Sequence, residues 1–390
     1  MTTPVAKEAF IFAGEPSGDL LGAHLVCALL AEEPSLHFFG VGGMKLQEAG
    51  LELLLPMEQF QLFGFTAVLT SFRKIYRQFQ TLLAHILKRN PPLCILIDYP
   101  GLNLRLAKAL RKRGYKGKIA YYISPKVWAW GEGRIKTLRS TLDLLLCIFP
   151  FEPPFFAPHN VPARYVGNPL AQSLALSPHD PSWRDAAGFR PSSPICSLFP
   201  GSRKSEIERI LLPQLKTAAL LKEAMPELQF GLSIASDNLL PQIRSALSRT
   251  SPLLQGSLHL VHTADTRHLM RASKAALAKC GTVNLELALL NIPSVVVYRL
   301  STVNALLARY LFRINLPHYS LPNIIAGSTL FPELIHQNFH PRVAAKALLP
   351  LLHESRERDL ACAGCRHVQQ LLHSEFSPSQ AAALAILELL

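Results

Sequence analysis

Charge is scarce in this 390-residue chain, and negative charge is scarcest: 17% of residues are charged, with 27 Asp and Glu against 40 Lys and Arg. Beside 49% hydrophobic residues, that scarcity excludes a disordered chain. The acid deficit leaves a net charge of +13 and calls for an anionic partner, whether nucleic acid, a nucleotide-linked substrate or an acidic membrane surface. Cysteine is thin as well. Five of the seven stand singly in apolar or turn contexts, the pattern of reduced thiols in a reducing cytoplasm. The other two form Cys362-x-x-Cys365 in a helical-looking tail rather than at a strand-to-helix junction. Zinc there would need two further ligands, for which His367 and His373 are loosely placed, so no metal is expected.

Long apolar runs are missing too. Ile314 to Pro332, the longest uncharged stretch, is interrupted by Asn315, Pro317, Pro322 and Asn323 and does not read as a spanning helix. Met1 to Lys7 leads at once into a strand-like Ala9 to Ala13, without the apolar segment and cleavage site of a secretory signal. The common nucleotide fingerprints are absent: Gly14-Glu15-Pro16-Ser17-Gly18-Asp19 is neither G-x-G-x-x-G nor a P-loop, which weakens a hydride-transfer reading. No recognised nucleic-acid-binding motif appears and the positive excess is spread over the chain, which argues against a nucleic-acid binder. There is no short-period repeat.

What is present is an alternation of strand and helix, long enough for two or three domains. Open parallel sheets hold ligands at the C-terminal ends of their strands. In the first half those ends carry Gly14 to Asp19, with the helix expected from Leu20, then Gly40-Val41-Gly42-Gly43, then Asp98-Tyr99-Pro100-Gly101 after the apolar strand Leu93 to Ile97. Asp98, at the tip of a central strand, is a candidate general base. Its alternative role is to cap the next helix, for which Asn103 is better placed. Ser124 to Arg134 gathers Lys126, Trp128 and Trp130, aromatic planes among cations that suit a base, sugar or phosphate, or else a Trp that plugs the core edge. Phe65 to Lys88 is strongly amphipathic, with Phe65, Val68, Leu69, Phe72, Ile75 and Tyr76 on its stripe and Arg73, Lys74 and Arg77 beside it. Two readings stand: a helix covering the sheet, or a membrane-facing helix or acyl groove with cations near anionic headgroups.

A Pro-, Ser-, His- and Asp-rich linker between Ser177 and Pro194 separates a second set of α/β units. The expected divisions are 1–172, 173–353 and a helical tail, 354–390, that packs on the first domain or on a partner subunit. After strand Ile195 to Phe199, Pro200-Gly201-Ser202-Arg203 precedes a capping-box pattern, Ser205 to Glu208, and forms a candidate diphosphate cradle. In Ala275 to Tyr298, Thr282 reads as an N-cap, so the Cys280-Gly281-Thr282 turn would offer backbone N–H groups to phosphate, with Glu286 one turn on to accept ribose hydroxyls. The plain alternative is a packing unit with a surface Glu. A catalytic carboxylate in one parallel-sheet domain and phosphate loops in another, facing a shared cleft, describe a nucleotide-sugar glycosyltransferase of the two-Rossmann type.

The motifs themselves, GEPSGDLLGA, GVGG, IDYPGLNLRLAK, YYISPKVWAWGEGR, FPGSRKSEIE, GTVNLELALLNIPSVVVYR and SLPN, follow one another over nearly the whole chain. In this order and spacing they resemble the lipid-A-disaccharide synthases, glycosyltransferases of GT-B type. The resemblance implies inverting transfer from UDP-2,3-diacylglucosamine to 2,3-diacylglucosamine 1-phosphate, with UDP released, at the cytoplasmic face of the inner membrane and without cofactor. It makes Asp98 the base for the acceptor 6-hydroxyl. Arg203 and Ser202 with the Gly281-Thr282 turn would hold the diphosphate, and Glu286 the ribose. Glu15 and Asn323 match polar positions expected in the family's active site, Glu15 as a catalytic candidate beside Asp98 and Asn323 as a substrate contact, and Ser17, Lys126 and Trp128 are further candidates for substrate binding. It also favours the membrane reading of Phe65 to Lys88. Two positions depart from the pattern: Cys280 stands where Ser is expected, and Asn168 where His is usual. The alternatives are another UDP-sugar enzyme such as a 2-epimerase, or a lipid- or nucleotide-binding protein without catalysis.

Overall fold

The computed structural model describes residues 7–60, 65–129, 131–299 and 317–390, with the backbone alone for 65–74 and 132. The side chains of Phe65, Val68, Leu69 and Phe72 thus lie outside the described residues. The chain forms two compact units, residues 1–172 with 372–390, and residues 173–371.

The first unit runs β1 (Lys7–Ala13), α1 (Pro16–Glu32), β2 (Leu36–Gly42), α2 (Met44–Glu48), β3 (Glu52–Pro56), α3 (Phe65–Arg89), β4 (Leu93–Ile97), α4 (Pro100–Lys112), β5 (Lys118–Tyr122), α5 (Ile135–Thr141), β6 (Leu144–Cys147), α6 (Glu152–Phe156), β7 (Ala163–Tyr165) and the start of α7 (Pro169–Ala175). Its seven strands are all parallel, in the order β3-β2-β1-β4-β5-β6-β7. The order reverses between β1 and β4, so the loops that leave those two strands diverge and open a crevice at the sheet's C-terminal edge. Period-two alternation decides what covers each face. Phe10 and Phe12 of β1 join one core with Leu82, Leu83 and Ile86 of α3 and Leu106 and Leu110 of α4. Ala9, Ile11 and Ala13 join the other with Leu25, Val26 and Leu29 of α1.

The C-terminal half of the α3 stripe is therefore core. Leu82, Leu83 and Ile86 are fully buried, a contribution of about 1.5–3 kcal/mol each. Ile75 and Phe79, a turn or two earlier, are only partly buried, and Tyr76 is exposed.

The second unit contains α8 (Trp183–Ala186), β8 (Ile195–Phe199), α9 (Lys204–Ala224), β9 (Gln229–Ile234), α10 (Leu240–Leu247), β10 (Leu258–His262), α11 (Thr266–Ala272), β11 (Ala275–Lys279), α12 (Thr282–Leu289), β12 (Ser294–Tyr298), α13 (Leu321–Ala326), β13 (Glu333–Ile335), α14 (Pro341–Leu352) and α15 (Arg356–Leu372). Its six parallel strands follow the order β10-β9-β8-β11-β12-β13. Here the reversal falls between β8 and β11, the two strands that precede Gly201-Ser202-Arg203 and Cys280-Gly281-Thr282.

The tail from 354 to 390 is divided between the units. α15 stays with the second, where Gln369 donates to the Leu289 carbonyl at 2.8 Å. α16 (Pro378–Leu387) belongs to the first, where Ala382, Ala383 and Ile386 are buried in the α1 core. Cys362 and Cys365 are free thiols on α15.

Candidate active site

In the first unit the crevice is built from β1 and β4. Helix α1 begins at Pro16 rather than Leu20, because a proline fits the first helical position, where no N–H is required, and Glu15 takes the N-cap place. Asp19, one turn on, is buried and spends its carboxylate on the N–H groups of Gly43, Lys45 and Leu46, which fixes the start of α2. Glu15 and Ser17 are left exposed at the crevice.

Asp98 and Tyr99 follow β4 with φ of 44° and 49°, left-handed values that cost a non-glycine residue about 1–2 kcal/mol each. Neighbouring elements impose that conformation. The Asp98 N–H donates to the Tyr122 carbonyl at 2.9 Å, and the Asp98 carbonyl accepts from Asn103 Nδ2 at 2.8 Å and from the Tyr121 hydroxyl. Asn103 does not cap α4 as its spacing suggests. It is fully buried and ties off β4 through the Ile97 and Asp98 carbonyls, while Tyr99 occupies the N-cap position. The Asp98 side chain is thereby aimed into a cavity of about 870 Å³, which also receives Glu15, Ile75, Tyr76, Phe79 and the exposed face of α4. Burial pushes the Asp98 carboxyl above the usual range, against the Tyr99 N–H and the Lys126 charge, which pull it down. Burial and the nearby Asp98 both push Glu15 up. A desolvated carboxylate of raised basicity can take a proton from a hydroxyl.

Trp128 sits differently from the expectation of a ligand platform. Its indole N–H donates to the buried Glu152 at 3.2 Å, and its ring packs edge-on against Phe151. Glu152 also accepts from the backbone N–H groups of Ile148 and Phe149, and burial pushes it up to about 7 against these bonds. Trp128 is thus an anchor of the loop whose exposed Lys126 bears on Asp98. Asn168 is likewise structural: its Oδ1 accepts from Leu170 and Ala171 at the start of α7, and its Nδ2 donates to the Ile148 carbonyl.

In the second unit two turns meet at the reversal point. Gly201 has φ of 119° and lies so close to Glu206 that a Cβ would fall 2.4 Å from its carboxylate, so the turn requires glycine. Helix α9 starts at Lys204 with Arg203 at the N-cap, not at the Ser205 box. Glu206 instead reaches back to the Ser202 N–H at 3.0 Å and pairs with Lys279 at 3.0 Å, which joins the turn after β8 to the end of β11. Burial pushes the Glu206 carboxyl up, but the Lys279 hydrogen bond and charge, with Ser202 and Arg203, outweigh it and hold it low. The Arg203 side chain is 80% exposed, with one guanidinium nitrogen 3.9 Å from the Glu206 carboxylate and the rest of the group open to solvent. The N-cap of α12 is Gly281, not Thr282, which is exposed in the first turn. Glu286 lies 3.8 Å from Arg267, and burial raises its carboxyl against that charge.

Asn323 offers no atom to a substrate. Fully buried, it donates to Phe331 O and Glu333 and accepts from Leu330 and Phe331, which exhausts its amide. Glu333 in turn accepts the N–H groups of Tyr319 and Ser320, and the Tyr319 carbonyl receives the Cys280 thiol at 3.4 Å. Asn323 therefore positions the segment beside the Cys280 turn. Sequence reasoning missed Glu152, Glu206 and Lys279, whose partners are remote in sequence, and also Arg105, Lys108 and Lys112, whose helical spacing was legible.

Comparisons with known proteins point to one family. The family model for lipid-A-disaccharide synthetase matches residues 9–387. A lipid-A-disaccharide synthase of Trichlorobacter lovleyi is 38% identical over 385 residues, 97% of each chain. One from Chlamydia pneumoniae is 38% identical over 368 residues, 93% of this chain but 59% of that protein, so the chain spans less than two thirds of that longer relative. Among solved structures, a UDP-N-acetylglucosamine 2-epimerase aligns with a TM-score of 0.60 over 98% of this chain and 94% of the other, at 12% identity, a likeness of fold alone.

Proposed function

The chain belongs to the lipid-A-disaccharide synthase family, and from that premise we propose how its side chains divide the reaction. It joins UDP-2,3-diacylglucosamine to 2,3-diacylglucosamine 1-phosphate in a β-1,6 linkage and releases UDP. Asp98 takes the proton of the acceptor 6-hydroxyl as that oxygen attacks the donor's anomeric carbon and the bond to the diphosphate breaks, a step worth on the order of 10²- to 10⁴-fold. Glu15, pushed up by the same crevice, helps orient the acceptor. In the second unit the Arg203 guanidinium, the Ser202 hydroxyl and the N–H groups of the Gly281-Thr282 turn take the charge that develops on UDP. Glu286 accepts the ribose hydroxyls. The observation that carries this reading is the Asp98 carboxylate, strained, desolvated and aimed into a cavity with apolar and cationic walls.

No helix among the described residues is long and apolar enough to cross a membrane. The proposed contact is peripheral, at the cytoplasmic face of the inner membrane. There the amphipathic start of α3, with Ile75 and Tyr76 at its described end, meets an anionic surface. Charge placed at Tyr76 should release the protein from anionic vesicles and leave its circular dichroism unchanged. The test of the reaction is UDP release coupled to disaccharide formation from both acylated substrates in mixed micelles, beside Asp98→Asn. Consumption of water-soluble UDP-N-acetylglucosamine without an acylated acceptor would instead select an epimerase. Binding of UDP without any product would select a non-catalytic protein.

A further inference from the structure

Helix α4 begins two residues after Asp98, and one stripe of it faces the same cavity: Gly101, Arg105, Lys108 and Lys112. The spacing, four then three then four, keeps them on one side of the helix. Gly101 lies three residues after Asp98 and has open space where a Cβ would stand, so the helix surface there is bare. The three cations follow at roughly 8, 12 and 18 Å along the axis from Pro100. All three are exposed, and among the described residues no carboxylate lies within ion-pair distance of them. Ile75 and Phe79 of α3, with Leu102 and Ala109, supply the apolar lining.

A bare patch beside the base, then unanswered positive charge, with apolar side chains alongside, matches one class of molecule: a sugar carrying a free hydroxyl, an anionic group and hydrocarbon. We propose that the Gly101 to Lys112 face of α4 is the subsite for the acceptor's anomeric phosphate, with Arg105 the residue that selects a phosphorylated acceptor. This rests on the reading that Asp98 faces the acceptor hydroxyl. The sugar ring lies over Gly101 with its hydroxymethyl group toward Asp98, and the phosphate, on the far side of the ring oxygen, reaches Arg105. A guanidinium can hold such a phosphate through two parallel hydrogen bonds. Lys108 and Lys112 add field without fixed geometry and draw the anion along the stripe.

The experiment compares two acceptors, 2,3-diacylglucosamine 1-phosphate and 2,3-diacylglucosamine, with the full chain in neutral detergent micelles. Wild type should prefer the phosphorylated acceptor. Arg105→Gln should shrink that preference by roughly 10- to 100-fold in kcat/KM, the worth of hydrogen bonds to a charged group. Its rate on the unphosphorylated acceptor and its KM for the donor should hold within error, and Arg105→Lys should recover part of the loss. Gly101→Leu, at an open helical position that accepts a side chain without strain, should raise KM for both acceptors and leave donor KM unchanged. An equal loss on both acceptors in Arg105→Gln, or an undiminished preference, would overturn the subsite. So would a defect confined to anionic vesicles and absent in neutral micelles, which would assign the cations to the lipid surface. Absence of disaccharide from wild type with either acceptor would sink the reaction reading itself and take the subsite with it.

Discussion

The two units solve the same topological problem with opposite chemistry. Each is a parallel sheet whose strand order reverses once, and each places its polar residues on the two loops that leave the reversal. In the first unit those loops carry Glu15 and Asp98, both pushed up by burial, with φ above 40° at Asp98 and Tyr99. In the second they carry Arg203, 80% exposed, and a Lys279 held by Glu206. One crevice raises the basicity of a carboxylate, while the other supplies positive charge and free N–H groups. The difference follows from what each loop exposes rather than from the fold, which is why fold likeness alone does not assign a reaction.

The largest effect expected is from Asp98→Asn, which should lower kcat by about 10²- to 10⁴-fold with donor affinity unchanged, since it removes the base and keeps the shape. A parallel loss of UDP binding by equilibrium titration would break the division between the units. Arg203→Ala should cost about 10²- to 10³-fold in kcat, the scale seen when one donor to a developing negative charge is removed. Steady-state kinetics should find KM for the acceptor unchanged. Lys279→Met removes the nearer of the two cations that face the Glu206 carboxylate and leaves Arg203 at 3.9 Å, and thermal unfolding should show a loss of about 1–3 kcal/mol, the cost of a buried acceptor that loses its hydrogen bond. Donor KM should rise with it, because the Ser202 turn is held by the same carboxylate.

Smaller effects concern pH. Glu152 is raised from 4.5 to about 7 in the folded chain. Its contribution to stability is therefore complete below pH 4.5 and is lost as pH rises through about 7, because the fold favours the neutral acid. Glu152→Gln should abolish that slope in melting temperature, at the expense of the Trp128 bond. Smallest is the shift expected from Lys126→Gln. With Asp98 as the proposed base, the rate should fall as pH drops through the raised Asp98 pKa. Lys126 pulls that pKa down, and its removal should move the acid limb of the kcat profile to higher pH. A shift to lower pH would mean that Lys126 does not bear on the base.

Much of this arrangement was legible in the chain. Apolar runs such as Leu93 to Ile97 are buried strands because a sheet covered on both faces needs no alternation. Asp98 and Arg203 can be placed from sequence on the loops that leave apolar strands, where such sheets keep ligands, and Glu286 one turn into the helix after β11. The errors fall where a local pattern had a nonlocal competitor. Ser205 to Glu208 scans as a capping box, yet the N-cap falls two residues earlier, at Arg203, because Glu206 is drawn back to Ser202 and across to Lys279. Asn323 and Trp128 look like ligand groups by type, and both are consumed by internal partners. The α3 stripe has one period throughout, so periodicity could not separate the buried Leu82, Leu83 and Ile86 from the exposed Tyr76.

By itself the sequence determined the alternation of strands and helices, the division into two α/β units and the identity of the chemical groups, because each follows from short-range periodicity and residue type. Only the tertiary structure decided which groups share a site. Crossover connections lay β1 beside β4 and β8 beside β11, and so bring Glu15 to Asp98 and Glu206 to Lys279 across intervals that no local pattern spans. It also decided protonation and reach, since the burial that raises Asp98 and the exposure of Arg203 are set by what packs around them.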